Sequence, residues 1–302
     1  MSTEAEAPQS TGYQRVEVDI RGWVESSRQD PSLYQKRQVT EIALTAIGLS
    51  NTLNQQLVLK GGAVMALAFK SDRVTGDVDF SAIPEPKELE AILVGELNNH
   101  LPRAAIKLNY PSLICKVQSV KKLPKPLNFE EHQFPALLIK IGYATRGSKD
   151  EAKLAENRST NTLELEISFR DQVYAFQELN LTEGMAAIRA FTIHELIAEK
   201  LRALIQQPIR NRSRRQDVYD ISYLIETNQL SNVDLQEIHQ TLLRKCETRG
   251  ITPAADTMDD PEIASRAKSQ WHTLALELAE LPLFEECFEK MHSLYKSLPW
   301  DD

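Results

Sequence analysis

In the run DVDFSAI, Asp77 and Asp79 are separated by one residue within a stretch that is otherwise apolar or small. Side chains alternate on a strand, so both aspartates would project to one face while Val78 and Phe80 project to the other. Two carboxylates about 7 Å apart on one face repel each other unless a cation sits between them. Hard divalent ions take oxygen ligands of this type, and such a pair is one half of a two-metal phosphoryl-transfer site. LELEISFRD is the best source of a third carboxylate: Glu164 and Glu166 share one face there, and Leu163, Leu165 and Ile167 share the other. The plain alternative is a solvated sheet face.

Upstream, Gly61 and Gly62 break an apolar run ahead of AVMALAF. A glycine turn opening a helix presents backbone N–H groups that cradle phosphate. The ordered set Gly61, Gly62, Arg73, Thr75, Asp77 and Asp79 is a stronger signal than the glycine pair alone. It lacks the G-K-[ST] of a P-loop and the third glycine of a dinucleotide fingerprint, which disfavours both readings.

Two charges fall on helical stripes that should face inward. Lys200 lies among Ile193, Leu196, Ile197, Leu201 and Leu204 in FTIHELIAEKLRALI, where Thr192 and Glu195 predict a capping box. Asp217 lies among Val218, Ile221, Leu224 and Ile225 in RQDVYDISYLI, with Asp220 nearer the edge. The two could form one buried ion pair or line an active cleft. His194 and Glu195 do not open a zinc-protease helix, because position 198 is alanine where a second histidine is required.

The elements that must position these residues follow from periodicity. Helical spacing predicts helices over residues 33–50, 63–69 and 86–101, with strands over 55–60 and 77–83. Between 104 and 176 the period shifts toward two, giving the strand candidates IKLNY, LICKVQSV, FPALLIKIGYA and TLELEISF, read as antiparallel sheet. Beyond about residue 186 the pattern is helical, with loops at QQPIRNRSRR and RGITPAADTMDDPE. The chain therefore reads as α+β: a disordered tail over 1–12, a mixed α/β domain over 13–185 and a helical domain over 186–302.

The 302 residues are 42% hydrophobic and 26% charged, enough to bury a sizeable core. No apolar run reaches membrane-spanning length. Three scattered cysteines, Cys115, Cys246 and Cys287, fit a reducing cytoplasm. A net charge of −8 speaks against nonspecific coating of nucleic acid. Yet Lys200, Arg202, Arg210, Arg212, Arg214 and Arg215 form one compact basic stretch with no acidic residue among them. It is either a solvated loop or a local contact for nucleic-acid phosphates.

LKGGAVMAL, RVTGDVDF, LEISFRD, HELIAEKLRAL and RQDVYDISYL, taken in order over roughly residues 55–226, resemble the AbiEii/AbiGii-type nucleotidyltransferase toxins, including MenT-like members. The family's G-G-T-A-L reads with Ala63 in place of threonine, its R-x-S-x-D-x-D has Thr75 for serine, and its strand aspartate corresponds to Glu166. Lys200 matches the lysine of E-K-L-x-A-L. Asp217 matches the first aspartate of the D-L-Y-D motif, with Gln216 where a basic residue is usual. The resemblance implies a polymerase β-like nucleotidyltransferase fold followed by a helical domain. It also implies the toxin of a toxin–antitoxin pair; some members add nucleotides to the 3′ end of tRNA.

The mechanism expected on that basis has Asp77 and Asp79 binding two Mg²⁺ ions, with Glu166 as the third carboxylate helping to ionise the acceptor hydroxyl. That hydroxyl would attack the α-phosphate of an NTP and expel pyrophosphate. Gly61, Gly62 and Thr75 would hold the triphosphate, and Lys200 and Arg73 would offset its charge, with Asp217 orienting Lys200 or a nucleotide group. Arg210, Arg212, Arg214 and Arg215 would contact the phosphates of an RNA acceptor such as tRNA. Two alternatives share the same inventory: a kinase-like phosphotransferase acting on a protein or small molecule, and a non-catalytic nucleotide-binding protein.

Overall fold

The computed structural model describes residues 14–124, 129, 134–181, 184 and 186–300. The tail expected over 1–12 lies outside them. The chain divides into two compact units, one comprising Met1–Ala68 with Thr75–Ala190 and the other Phe69–Val74 with Phe191–Asp302. The short segment Phe69–Val74 therefore packs with the C-terminal residues.

The first unit runs β1 (Arg15–Val18), α1 (Ile20–Glu25), α2 (Pro31–Leu49), α3 (Asn51–Gln56), β2 (Leu57–Lys60), α4 (Gly61–Ala68) and β3 (Asp77–Ala82). It continues with α5 (Pro86–Lys107), β4 (Leu113–Leu123), β5 (Ala136–Thr145), α6 (Lys149–Ala155), β6 (Thr162–Ser168), β7 (Phe176–Leu181) and β8 (Ala186–Phe191). Among the described residues all eight strands join one mixed sheet in the order β1-β7-β8-β2-β3-β6-β5-β4. The stretch β6-β5-β4 is antiparallel, as the alternation predicts, whereas β3 and β6 run parallel. Leu57, Leu59, Phe80, Ile139 and Leu165 form the dry side of the central strands.

Several local expectations are corrected. IKLNY is not a strand: the apolar stripe of α5 continues through Leu97, Leu101, Ala104 and Ala105 to Leu108, and Asn109 turns the chain at φ +62°. Gln55 and Gln56 belong to α3, which Ser50 caps by accepting from the Leu53 N–H at 3.1 Å. Residues 186–191 extend the sheet before the helical region begins.

The second unit contains α7 (Ile193–Ile205), α8 (Gln207–Arg210), α9 (Arg215–Thr227), α10 (Asn232–Glu247), α11 (Pro261–Lys268) and α12 (Phe284–Lys296), with 3-10 turns at Thr257–Asp259 and Trp271–Leu276. The QQPIRNRSRR loop thus opens with the helical turn α8. Thr192 caps α7 by accepting from the Glu195 N–H at 3.2 Å. The reciprocal half of the expected capping box is not the role of the Glu195 side chain, which is buried 2.8 Å from the Lys245 ammonium.

Candidate active site

Asp77 and Asp79 lie on β3 with Val78 and Phe80 turned into the core, so the alternation places both carboxylates on the accessible side of the sheet. Parallel pairing with β6 sets Asp77 opposite Glu164 and Asp79 opposite Glu166. Register partners share a face at about 4.8 Å between strands, so four acidic positions form a two-by-two patch. Glu164 is offset by Lys140 of β5, 2.6 Å away. The strand period finds Glu166; the register selects which of its carboxylate neighbours stands beside which aspartate.

The corner between β2 and α4 is fitted to this patch. Gly61 adopts φ +67°, and a Cβ added there would lie 2.3 Å from Asp79 Oδ2. Only glycine meets both requirements without strain. The first residues of α4 are therefore in van der Waals reach of the Asp79 carboxylate, with Gly62 one residue further along the helix. Thr75 stands two residues before Asp77 and donates its hydroxyl to the Asp77 carbonyl at 3.3 Å.

Two further charges on this side of the sheet were not assigned from sequence. Lys60 is the antiparallel register partner of Asp79. Its ammonium donates to Asp171 at 2.7 Å, and the Ser81 hydroxyl lies 3.4 Å from the same oxygen. Lys60 ends an apolar strand and Asp171 follows one, in motifs already singled out for their neighbours; no periodicity marks either.

In the helical unit, Lys200 donates to Asp217 at 2.9 Å and to Asp220 at 2.7 Å. Arg73 grips Asp220 through two hydrogen bonds of 2.9 and 3.0 Å and reaches Glu277 at 2.9 Å, while Gln216 donates to the same Glu277. All of Lys200, Arg73, Asp217 and Asp220 are buried. Burial alone would lower the Lys200 pKa, but Asp217 and Asp220 outweigh it and hold it above the ordinary value. Burial likewise pushes the Asp220 carboxyl up, and Lys200 and Arg73 override it downward. Lys200 and Asp220 are thus both ionised at neutral pH. Of the two sequence alternatives for Lys200 and Asp217, the ion pair is present, widened by Asp220 and Arg73. The Arg73 guanidinium, expected on nucleotide phosphate, is engaged by two carboxylates instead.

Arg210 and Arg212 are exposed, whereas Arg214 and Arg215 are partly covered, with Arg214 3.9 Å from Asp217. Tyr219 and Tyr223 stack on one another, and the Tyr223 hydroxyl donates to the Phe69 and Lys70 carbonyls, so they serve packing.

The donor set fits Mg²⁺ as a pair more than as a cage. Among the described residues no three His, Cys, Asp or Glu side chains gather into a preformed metal site. Mg²⁺ asks for less: one or two carboxylates, with substrate phosphates and water completing the octahedron. Asp77 and Asp79 supply that oxygen pair.

A family model described as "Nucleotidyl transferase AbiEii toxin, Type IV TA system" matches residues 43–290. Among solved structures, the chain is similar to MenT4, a nucleotidyltransferase toxin of Mycobacterium tuberculosis, at 14% sequence identity and a TM-score of 0.51. That superposition covers 92% of this chain and 90% of the other, and at such low identity it speaks to the fold. No curated protein matches the sequence.

Proposed function

The chain belongs to the AbiEii family of nucleotidyltransferase toxins, and from that premise we propose that it transfers a nucleotide from an NTP to the 3′ end of an RNA, tRNA being the expected acceptor, at the Asp77–Asp79 patch. As a family member it is a nucleotidyltransferase that uses a nucleoside triphosphate. The observation that carries the site is the register: Asp77 and Asp79 share a face with Glu166, beside a glycine corner shaped around Asp79.

Asp77 and Asp79 would hold Mg²⁺, as two ions in the full reading; when bound, the metal neutralises charge at the α-phosphate and makes the acceptor hydroxyl more acidic. Glu166 accepts the proton of that hydroxyl. The hydroxyl oxygen bonds to the α-phosphorus, the bond from the α-phosphorus to the bridging oxygen breaks, and pyrophosphate leaves. Gly61 and Gly62 offer backbone N–H groups and Thr75 its hydroxyl to the triphosphate. Lys200 is held by Asp217 and Asp220 within the helical unit. Arg210 and Arg212, the exposed members of the basic stretch, contact acceptor phosphates, with Arg214 and Arg215 behind them.

A cognate antitoxin is the expected protein partner. No helix among the described residues is long and apolar enough to cross a membrane, and the cytoplasm is where this substrate pair meets. Family membership favours this chemistry over γ-phosphate transfer and over a non-catalytic role. Pyrophosphate release on mixing protein, Mg²⁺, NTP and total tRNA tests the reading. Release should vanish when the RNA 3′ ends are oxidised with periodate; release that persists unchanged excludes the 3′ hydroxyl as acceptor.

A further inference from the structure

Lys60 stands where it could disable the aspartate pair. It is the last residue of β2 and the antiparallel register partner of Asp79, so its side chain leaves the sheet on the same face. Directly opposed residues of an antiparallel pair have Cβ atoms about 4.5–5.5 Å apart, well within the reach of a lysine. The Asp79 carboxylate also leans toward that strand end. Its Cγ lies 3.2 Å from where a Cβ would sit on Gly61, the residue that follows Lys60. A lysine so placed would ordinarily close a charge pair with the aspartate across the strands. An ammonium on the Asp79 oxygens would compete with a divalent cation, because both use the same lone pairs.

The Lys60 side chain is drawn elsewhere: its ammonium donates to Asp171 at 2.7 Å. The two side chains are 14% and 8% exposed, so salt screens this pair little. Asp171 reaches the face through the turn that follows β6. Arg170 adopts φ +58° in that turn, uncommon for a residue with a side chain, and its guanidinium donates to Glu85 at 2.8 Å. Backbone of this kind persists where its surroundings hold it, and here it delivers Asp171 onto the sheet. The Ser81 hydroxyl, two residues beyond Asp79 on the same face of β3, lies 3.4 Å from the Asp171 oxygen that Lys60 holds. The acidic patch thereby keeps a positive charge beside it without giving up the oxygens of Asp79 to that charge.

We propose that Asp171 is a positioning residue of the metal site, holding the Lys60 ammonium off Asp79 so that the Asp79 carboxylate takes a divalent ion. The proposal rests on the reading of Asp77 and Asp79 as the metal-binding pair.

The test measures Mn²⁺ binding to the full-length protein, without nucleotide, from the electron paramagnetic resonance signal of the free ion. Asp79→Ala sets the baseline and should lose the wild-type site. Asp171→Asn should bind Mn²⁺ about 10- to 100-fold more weakly, the loss expected when a charged hydrogen bond competes for the ligand. Adding Lys60→Met to Asp171→Asn should restore affinity to within about threefold of the wild type. Were Asp171 merely a brace for the sheet, removing Lys60 as well would leave the loss in place or deepen it. Lys60→Met alone should bind at least as tightly as the wild type, a readout that stands even where Asp171→Asn fails to fold. Wild-type affinity in Asp171→Asn, a loss that the double variant does not recover, or weaker binding by Lys60→Met would each overturn the inference and leave the metal pair standing. A wild type that binds no Mn²⁺, or an Asp79→Ala variant that binds it unchanged, overturns the metal reading and this inference together.

Discussion

Gly61 carries two constraints at once, a left-handed backbone and the Asp79 carboxylate where a side chain would begin. Gly61→Ala should cost about 1–2 kcal/mol from the backbone alone. It should also displace Asp79, so transfer should fall by more than stability explains; a chemical denaturation curve beside a rate measurement separates the two. That Asp77, Asp79 and Glu166 share one face was legible because acids at period two on an apolar strand contradict the pattern around them. Lys60 and Asp171 were not, since a lysine at a strand end or an aspartate in a loop breaks no pattern. Arg73 was legible as a residue and misread as a contact. Its partner Asp220 stands 147 positions away in sequence, beyond the reach of any local spacing.

At the scale of elements, α7 and α9 are held by the cluster of Lys200, Asp217, Asp220 and Arg73, and its pH dependence follows from the direction of each shift. Asp220 has a folded pKa below its ordinary 3.8, so its contribution is fully present above 3.8 and is lost as pH falls through the folded value. Lys200 has a folded pKa above 10.5, so its contribution is complete below 10.5 and is lost as pH rises through the folded value. The contribution of these two groups should therefore be flat between those limits and fall outside them. Asp220→Asn should destabilise the helical unit by about 3–5 kcal/mol, because Lys200 and Arg73 would stay buried with a partner gone, and should flatten the acid limb. Denaturant midpoints followed by circular dichroism across the pH range check both. Helical stripes foretold that Lys200 and Asp217 face inward, and periodicity foretold β3, β5 and β6. The end of α5 was misread because IKLNY alternates as a strand does, while its buried neighbours one and two turns earlier make it the tail of a stripe. The parallel pairing of β3 with β6, which assembles the acidic patch, is a long-range choice that no local pattern encodes.

At the scale of the molecule, a net charge of −8 means that the proposed RNA binding must rest on local features, for which we propose the exposed Arg210 and Arg212. Exchanging both for glutamine should weaken tRNA binding and make the plot of log affinity against log salt shallower by about 0.7–0.9 for each phosphate no longer neutralised. Binding measured at several salt concentrations checks this, and an unchanged slope would move the RNA surface elsewhere. The order of a mixed half and a helical half was readable from composition and period; the transfer of Phe69–Val74 to the helical unit was not, because it depends on Arg73 and on carbonyls held by Tyr223. The central claim, nucleotidyl transfer dependent on the aspartate pair, is tested most directly by incubating the protein and its Asp79→Ala variant with Mg²⁺, total tRNA and NTPs labelled in parallel at the α- and γ-phosphates. The account predicts α-label on RNA, reduced at least about a hundredfold by the substitution, with γ-label leaving as pyrophosphate. γ-label transferred to protein or RNA, or α-label undiminished in Asp79→Ala, would contradict it.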